Sequence, residues 1–452
     1  MIFADHAFLA DGWAKNVRLT VANGHIASIS KNAVAQPGDT HVLALLPALS
    51  NLHSHSFQRA MAGMTEYRIA GRDSFWTWRD LMYRFLEHLT PEHIESIAAF
   101  VFMEMQEAGY AAVGEFHYVH HQKGGAPYDN PAELTARIFA AAQLTGIGLT
   151  HLPVLYSYGG PGAQALAAGQ LRFGNTVDEF ATLLAAARQA AQALPADTII
   201  GIAPHSLRAT VPSELAAALP LAAGAPIHIH VAEQPKEVAD ISAWLGARPV
   251  EWLLDNTNIG PDWCAIHATH MTAQETARLA KSGAIAGLCP ITEANLGDGP
   301  FNGPGWLAAG GAFGIGSDSN VRISLVEELR MLEYSQRLRD CARNVMLDGA
   351  GSTGAALYRN AALGGAQALA RKAGAIAQGH LADLVAIDLT HPTLCGLGIE
   401  QVLDGLVFAA PDGLATDLWS AGRHQVRAGK HVQRGAIIRG WRDTMAKLKA
   451  VL

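Results

Sequence analysis

A chain of 452 residues is longer than one small core requires; length alone suggests about three domains, although α/β barrels reach this size as single units. Half of the residues are hydrophobic and 16% are charged, which describes an ordinary globular interior, and no run of eighteen apolar residues is present to cross a membrane. With 33 Lys and Arg against 40 Asp and Glu, the net charge of -7 gives no general attraction to nucleic acid or an anionic membrane, so an anionic ligand would have to be held by local arginines.

The opening residues contain no basic stretch ahead of an apolar segment, which leads us to expect a soluble cytoplasmic protein. Residues 1–47 alternate in short apolar and polar steps, with Asn23-Gly24 between two such runs as a hairpin signal. From Pro47 the pattern changes to strands alternating with helices, the signature of a parallel sheet. The apolar run Val42–Leu49 reads as a buried strand leading into His53-Ser-His55. An insertion then runs to about Thr90 and carries Phe75-Trp-Thr-Trp-Arg79, with Trp76 and Trp78 expected in packing or subunit contacts. At Thr90-Pro91 a cap followed by proline marks a helix start.

Later strands are expected at 111–118, 148–156, 198–205, 226–231, 264–268, 284–289 and 311–318, with helical runs such as 182–193 and 273–281 among them. Together with the His53 strand they make eight, so the expected fold is α/β: a (β/α)8 TIM-like barrel over 48–377. The tail returns to β character at 379–388 and 422–432. We expect residues 1–47 and 378–435 to form one small β-sandwich domain, followed by a C-terminal helix over 436–452. The four cysteines, Cys264, Cys289, Cys341 and Cys395, are far apart without a CxxC pair and read as free buried thiols.

In a strand, residues i and i+2 face one side, so His53 and His55 present two imidazoles to one point. Such a pair by itself is weak evidence, since two histidines near a strand end are often satisfied surface or core groups. However, later strands also end in metal-competent or titratable residues: His230 and then Glu233, His267, and Asp318. In a parallel barrel these ends converge on the face where chemistry sits. His53, His55, His230 and Asp318 would supply three nitrogens and a carboxylate, a set that suits one Zn2+, or Fe2+, better than magnesium. Glu233 and His267 are the candidates for proton transfer.

The stretch Pro47-Ala-Leu-Ser-Asn-Leu-His-Ser-His55, with His230, His267 and Gly316-Ser-Asp318, resembles the amidohydrolase superfamily over essentially the whole chain, as does the tail pattern Gly379-x-Leu-Ala-Asp-Leu-Val385. Within it, His55-Ser-Phe-Gln-Arg-Ala-Met-Ala-Gly63, Phe75–Arg79 and Ser317-Asp-Ser-Asn-Val-Arg-Ile-Ser324 resemble the formimidoylglutamate deiminase family of histidine breakdown. The fourth strand ends Ala203-Pro204-His205-Ser206 without the lysine of two-metal relatives, so the resemblance implies the one-metal branch. It further implies hydrolysis of N-formimino-L-glutamate to N-formyl-L-glutamate and ammonia, a homodimer, and a part for Asp318 in proton transfer.

A substrate with two carboxylates calls for guanidinium forks. Arg208 and Arg79 are the candidates, with Tyr118 as a donor, Gln58 facing the formimino group and His205 near the metal. The rival reading within the same branch is a purine- or pterin-type ring deaminase, for which the aromatic insertion would supply stacking. A non-catalytic barrel scaffold is the remote alternative, but it would be expected to have lost some of the residues named above.

Overall fold

The Asn23-Gly24 turn has both residues at positive φ, 50° and 81°, the geometry that twists two strands into a tight hairpin. It joins β2 (Gly12–Ala22) to β3 (His25–Ser30), and β1 (Ile2–Leu9) lies between β2 and β4 (Thr40–Pro47). The computed structural model describes residues 1–66, 75–347 and 349–451, without the side chains of 75–77.

The barrel strands follow. They are β5 (Leu49–Ser54), β6 (Tyr110–His117), β7 (Gly148–Leu155), β8 (Ile199–Ile200), β9 (Ala203–Pro204), β10 (Ile227–Val231), β11 (Trp263–His267), β12 (Ile285–Leu288) and β13 (Ala312–Ile315). β5, β6 and β7 pair in parallel, and β8 and β9 both lie against β7 as the two halves of one interrupted strand. β10 to β13 form a second parallel arc. Parallel bridges Ile202–Ile227 and Ser54–Asp318 connect the arcs into a ring.

The tail adds β14 (Leu384–Ile387), β15 (Ala415–Ser420), β16 (Arg423–Arg427) and β17 (Lys430–His431). These join the N-terminal strands in one eight-stranded sheet of order β17-β16-β15-β14-β4-β1-β2-β3, with its own apolar cluster around Leu19, Leu45, Leu384 and Trp419.

The apolar run Val42–Leu49 is not one strand. β4 ends at Pro47 in the eight-stranded sheet, and β5 begins at Leu49 in the barrel. Residues 44–54 are buried throughout the change of sheet, so no periodicity marks the crossover. Thr90 caps the helix Pro91–Ala108 as its sequence indicates, its side chain accepting the His93 N–H. The C-terminal helix spans Arg434–Lys449 and stacks Trp441 on Phe100 of that helix, with ring centroids 4.2 Å apart. Cys264 and Cys289 are buried thiols, whereas Cys341 and Cys395 are exposed, a correction to the expectation that all four lie inside. Cys341 sits at a helix C-cap with charged neighbours and Cys395 in a turn, positions that the packing leaves at the surface.

The floor of the barrel is closed by the turn at Ala368-Leu369, which packs with Leu52, Ala112, Cys264, Ile266 and Ile285. Thr150 Oγ1 donates to the Leu369 carbonyl and His228 Nε2 to that of Ala368, at 2.9 and 2.8 Å. With the N-terminal end sealed, the strand C-termini carry the open cavity.

The eight-stranded sheet is fixed to the barrel by a buried ionic network. Arg371, fully buried, donates to Asp383 at 2.9 Å and to Asp197 at 3.2 Å, and Arg423 holds the same Asp197 at 2.7 Å. Removing one partner from such a network leaves a buried charge without its counterion. Arg371→Met is therefore expected to lower unfolding stability by about 3 kcal/mol or more, read by urea denaturation. A loss under about 1 kcal/mol would contradict a structural role for this network.

Candidate active site and metal centre

β5 delivers His53, and His55 follows it just past the strand end, their rings 4.6 Å apart. His230 comes from β10 and Asp318 follows β13. One ligand atom from each of these four buried residues lies within 4.8 Å of the other three. His53 Nε2 is 3.1 Å from His230 Nε2, and Asp318 Oδ1 is 3.4 Å from His53 Nε2 and 3.3 Å from His55 Nε2.

The outer nitrogens set the orientation of two of the rings. His55 Nδ1 donates to the Phe116 carbonyl at 2.9 Å and His230 Nδ1 to the His205 carbonyl at 3.1 Å, so each Nε2 turns a lone pair inward. Burial lowers His53 to about 3 and also lowers His55 and His230, which keeps the imidazoles neutral. Asp318 goes the other way. Burial opposes its charge, but the bond to His53 and the neighbouring His53, His55 and His267 hold its carboxyl below the usual carboxylate range. Neutral inward-facing nitrogens around an ionised carboxylate fit a divalent transition metal of the zinc type.

The backbone is strained here. His267 has φ 68° and Asp318 φ 46°, positions that L residues adopt only when their surroundings enforce it. His267, which ends β11, places Nε2 3.9 Å from Glu233 Oε1 and 3.8 Å from Asp318 Oδ2. Burial disfavours its charge, but Glu233, Glu293 and Asp318 outweigh that and push it up to about 10. Glu233 itself is gripped by Arg208, whose Nη2 donates to Oε2 at 2.8 Å.

The five residues expected to bind substrate all line one cavity of about 280 Å³ together with His55, His230 and Asp318 of the metal-competent cluster. Tyr118 OH and Gln58 Nε2 are bonded at 2.6 Å, and both reach Met82 Sδ. Gln58 lines the cavity, and its Oε1 is buried with no hydrogen-bond partner among the described residues. His205 Nδ1 bonds Ser206 Oγ at 2.9 Å, and its ring lies 4.8 Å from His230. Arg79 also lines the cavity, with its guanidinium carbon 5.5 Å from the centre of the Tyr83 ring. Trp78, expected in packing or subunit contacts, also lines the cavity, while the Trp76 side chain lies outside the described residues.

Several participants had no signal in the sequence. Glu237 accepts the backbone N–H groups of Ala232 and Glu233 at 3.1 and 3.0 Å and fixes the turn that presents Glu233. Glu293 accepts from His267 Nδ1. Asp298, buried and bonded by Gln234 Nε2, has its carboxyl pushed upward by burial and then by Glu233. Glu237 lies in the first turn of the helix Pro235–Leu245, where an acid reads as an ordinary helix-start residue. Glu293 and Asp298 lie in an ordinary helix and loop.

The model of the amidohydrolase family matches residues 44–424, and that of the N-terminal domain of formimidoylglutamate deiminase matches residues 1–41. A formimidoylglutamate deiminase from Pseudomonas aeruginosa is 48% identical over 99% of both chains. A 5-methylthioadenosine/S-adenosylhomocysteine deaminase from Natronomonas pharaonis is 28% identical over 79% of this chain and 75% of its own. Among solved structures, an amidohydrolase from Brucella melitensis superposes with a TM-score of 0.96 at 48% identity, covering 99% of each chain. An adenosine deaminase from Xanthomonas campestris with bound zinc shares the fold, with a TM-score of 0.82 at 22% identity over 99% of this chain and 98% of that one. By the extent of these matches, the chain belongs to the amidohydrolase family and, within it, to the formimidoylglutamate deiminases.

Proposed function

We propose that the protein hydrolyses N-formimino-L-glutamate to N-formyl-L-glutamate and ammonia, a step of histidine degradation, with one zinc ion held by His53, His55, His230 and Asp318. The observation that carries this reading is one cavity lined by His55, His230 and Asp318 of the four-residue donor set together with Arg79, Arg208 and Tyr118. The near-full-length likeness to a formimidoylglutamate deiminase supports the same substrate.

A metal of this type supplies a water made nucleophilic at neutral pH. The remaining work belongs to the side chains. Arg208, Arg79 and Tyr118 hold the two carboxylates, and paired guanidinium donors suit that planar anion. Gln58 Oε1 accepts from the formimino N–H, which fixes the carbon that is attacked. Asp318 and His267 take the proton of the attacking water. Asp318 is one of the carboxylates that raise His267, and a cation held by it would weaken that pull and favour an Nε2 able to accept. Glu233, 3.9 Å from His267, relays the protons released by the water, one on attack and one as the C=O bond forms, to the imino nitrogen so that ammonia departs.

Purified enzyme given N-formimino-L-glutamate is expected to release ammonia and no formamide. Formamide release, or turnover of adenosine or guanine in place of the linear amidine, would contradict the proposal. His230→Ala is expected to weaken zinc binding at least about tenfold, measured by competition with a chelator, and wild-type affinity would remove His230 from the metal site. Arg208→Met is expected to raise KM about 10- to 100-fold at unchanged metal content. Unaltered kinetics would take Arg208 out of the binding site.

A further inference from the structure

The strand that carries His267 does not dictate the orientation of its ring. His267 stands where β11 ends, and the two residues at that point, His267 and Ala268, have φ of 68° and 47°. The alternation of strand side chains therefore no longer sets its direction. Nor do the groups in front of it. Glu233 Oε1 and Asp318 Oδ2 are 3.9 and 3.8 Å from Nε2, beyond hydrogen-bond reach. Behind the ring, Glu293 Oε1 is 3.3 Å from Nδ1.

Glu293 is itself immobilised. It lies in the first turn of the helix Pro290–Leu296 and is buried at 5% exposure. The same Oε1 accepts the Cys289 N–H at 2.9 Å, and the Glu293 N–H donates to the Cys289 carbonyl at 2.9 Å. A carboxylate fixed in this way sets which ring nitrogen carries the proton and makes the opposite nitrogen a better base.

We propose that Glu293 is a positioning residue for the reaction: it accepts the Nδ1–H of His267 and so presents Nε2, with its lone pair, to the cavity between Glu233 and Asp318. The kinetic part of this proposal rests on the deiminase reading above; the structural part does not.

The test uses zinc-loaded full-length protein. Glu293→Gln is nearly isosteric and keeps an acceptor at the same point but removes the charge, whereas Glu293→Leu removes both. In wild type we expect a downfield exchangeable proton resonance from His267 Nδ1–H, assigned by its loss in His267→Gln. It should shift in Glu293→Gln and vanish in Glu293→Leu. With formiminoglutamate, Glu293→Gln should lower kcat about 10- to 100-fold while KM and zinc stoichiometry stay at wild-type levels.

A His267 resonance that does not move in Glu293→Gln overturns the proposal whatever the substrate proves to be. So does an unchanged kcat, or a loss of activity that only follows loss of folded protein or of zinc. If formiminoglutamate is not turned over at all, the deiminase reading fails and the resonance still decides the role of Glu293.

Discussion

Two backbone hydrogen bonds close the barrel at the point where its first and last strands meet. The Asp318 N–H donates to the His53 carbonyl and the His55 N–H to the Asp318 carbonyl, each at 2.9 Å. This pair fixes the register of β5 against the segment after β13, and with it the distance of the Asp318 carboxylate from both imidazoles of the His53-x-His55 stretch. The contact is close enough that a Cβ on Gly316 would stand 2.8 Å from His53 N and O, so any larger residue there would push the two strands apart. His53 and His55 come from the beginning of the barrel and Asp318 from its end. Their meeting is a consequence of ring closure rather than of any local motif.

Electrostatics follow from that closure. Taking three imidazoles out of water keeps them neutral, while the bond to His53 and the nearby histidines keep Asp318 ionised despite its burial. The next layer out is made of carboxylates with assigned tasks. Glu237 pins the turn that carries Glu233, Arg208 grips Glu233, and Glu293 stands behind His267. Positive φ at His267 and Asp318 shows that this arrangement is held against local backbone preference, as is common where side chains must be aimed. The buried network of Arg371, Asp197, Asp383 and Arg423 serves another purpose, holding the eight-stranded sheet to the end of the barrel remote from the cavity.

Much of this was legible in the sequence because strands report their ends. Apolar runs that stop at histidine or aspartate identified His53, His55, His230, His267 and Asp318, and barrel geometry requires such ends to share a face. The Thr90-Pro91 helix start and the Asn23-Gly24 hairpin were readable for the same kind of local reason. What could not be read depends on contacts between distant segments. The passage from β4 to β5 occurs inside a continuously buried stretch, so hydrophobicity does not mark it. Glu293 sits at an unremarkable helix position and acquires meaning only from the ring 26 residues earlier in the chain. Arg208 was legible as a cation at a strand end, but its grip on Glu233 was not. The exposure of Cys341 and Cys395 was likewise invisible, since it depends on what the rest of the chain leaves uncovered.

The central claim is that four donors from three separated parts of the chain converge on one metal ion inside the cavity. Anomalous diffraction from crystals of the zinc-loaded protein, collected on either side of the zinc absorption edge, tests this most directly. The account predicts a single strong peak enclosed by His53 Nε2, His55 Nε2, His230 Nε2 and an Asp318 carboxylate oxygen. A peak centred instead among His267, Cys289 and Asp318, or no peak in the cavity of a zinc-loaded crystal, would contradict it.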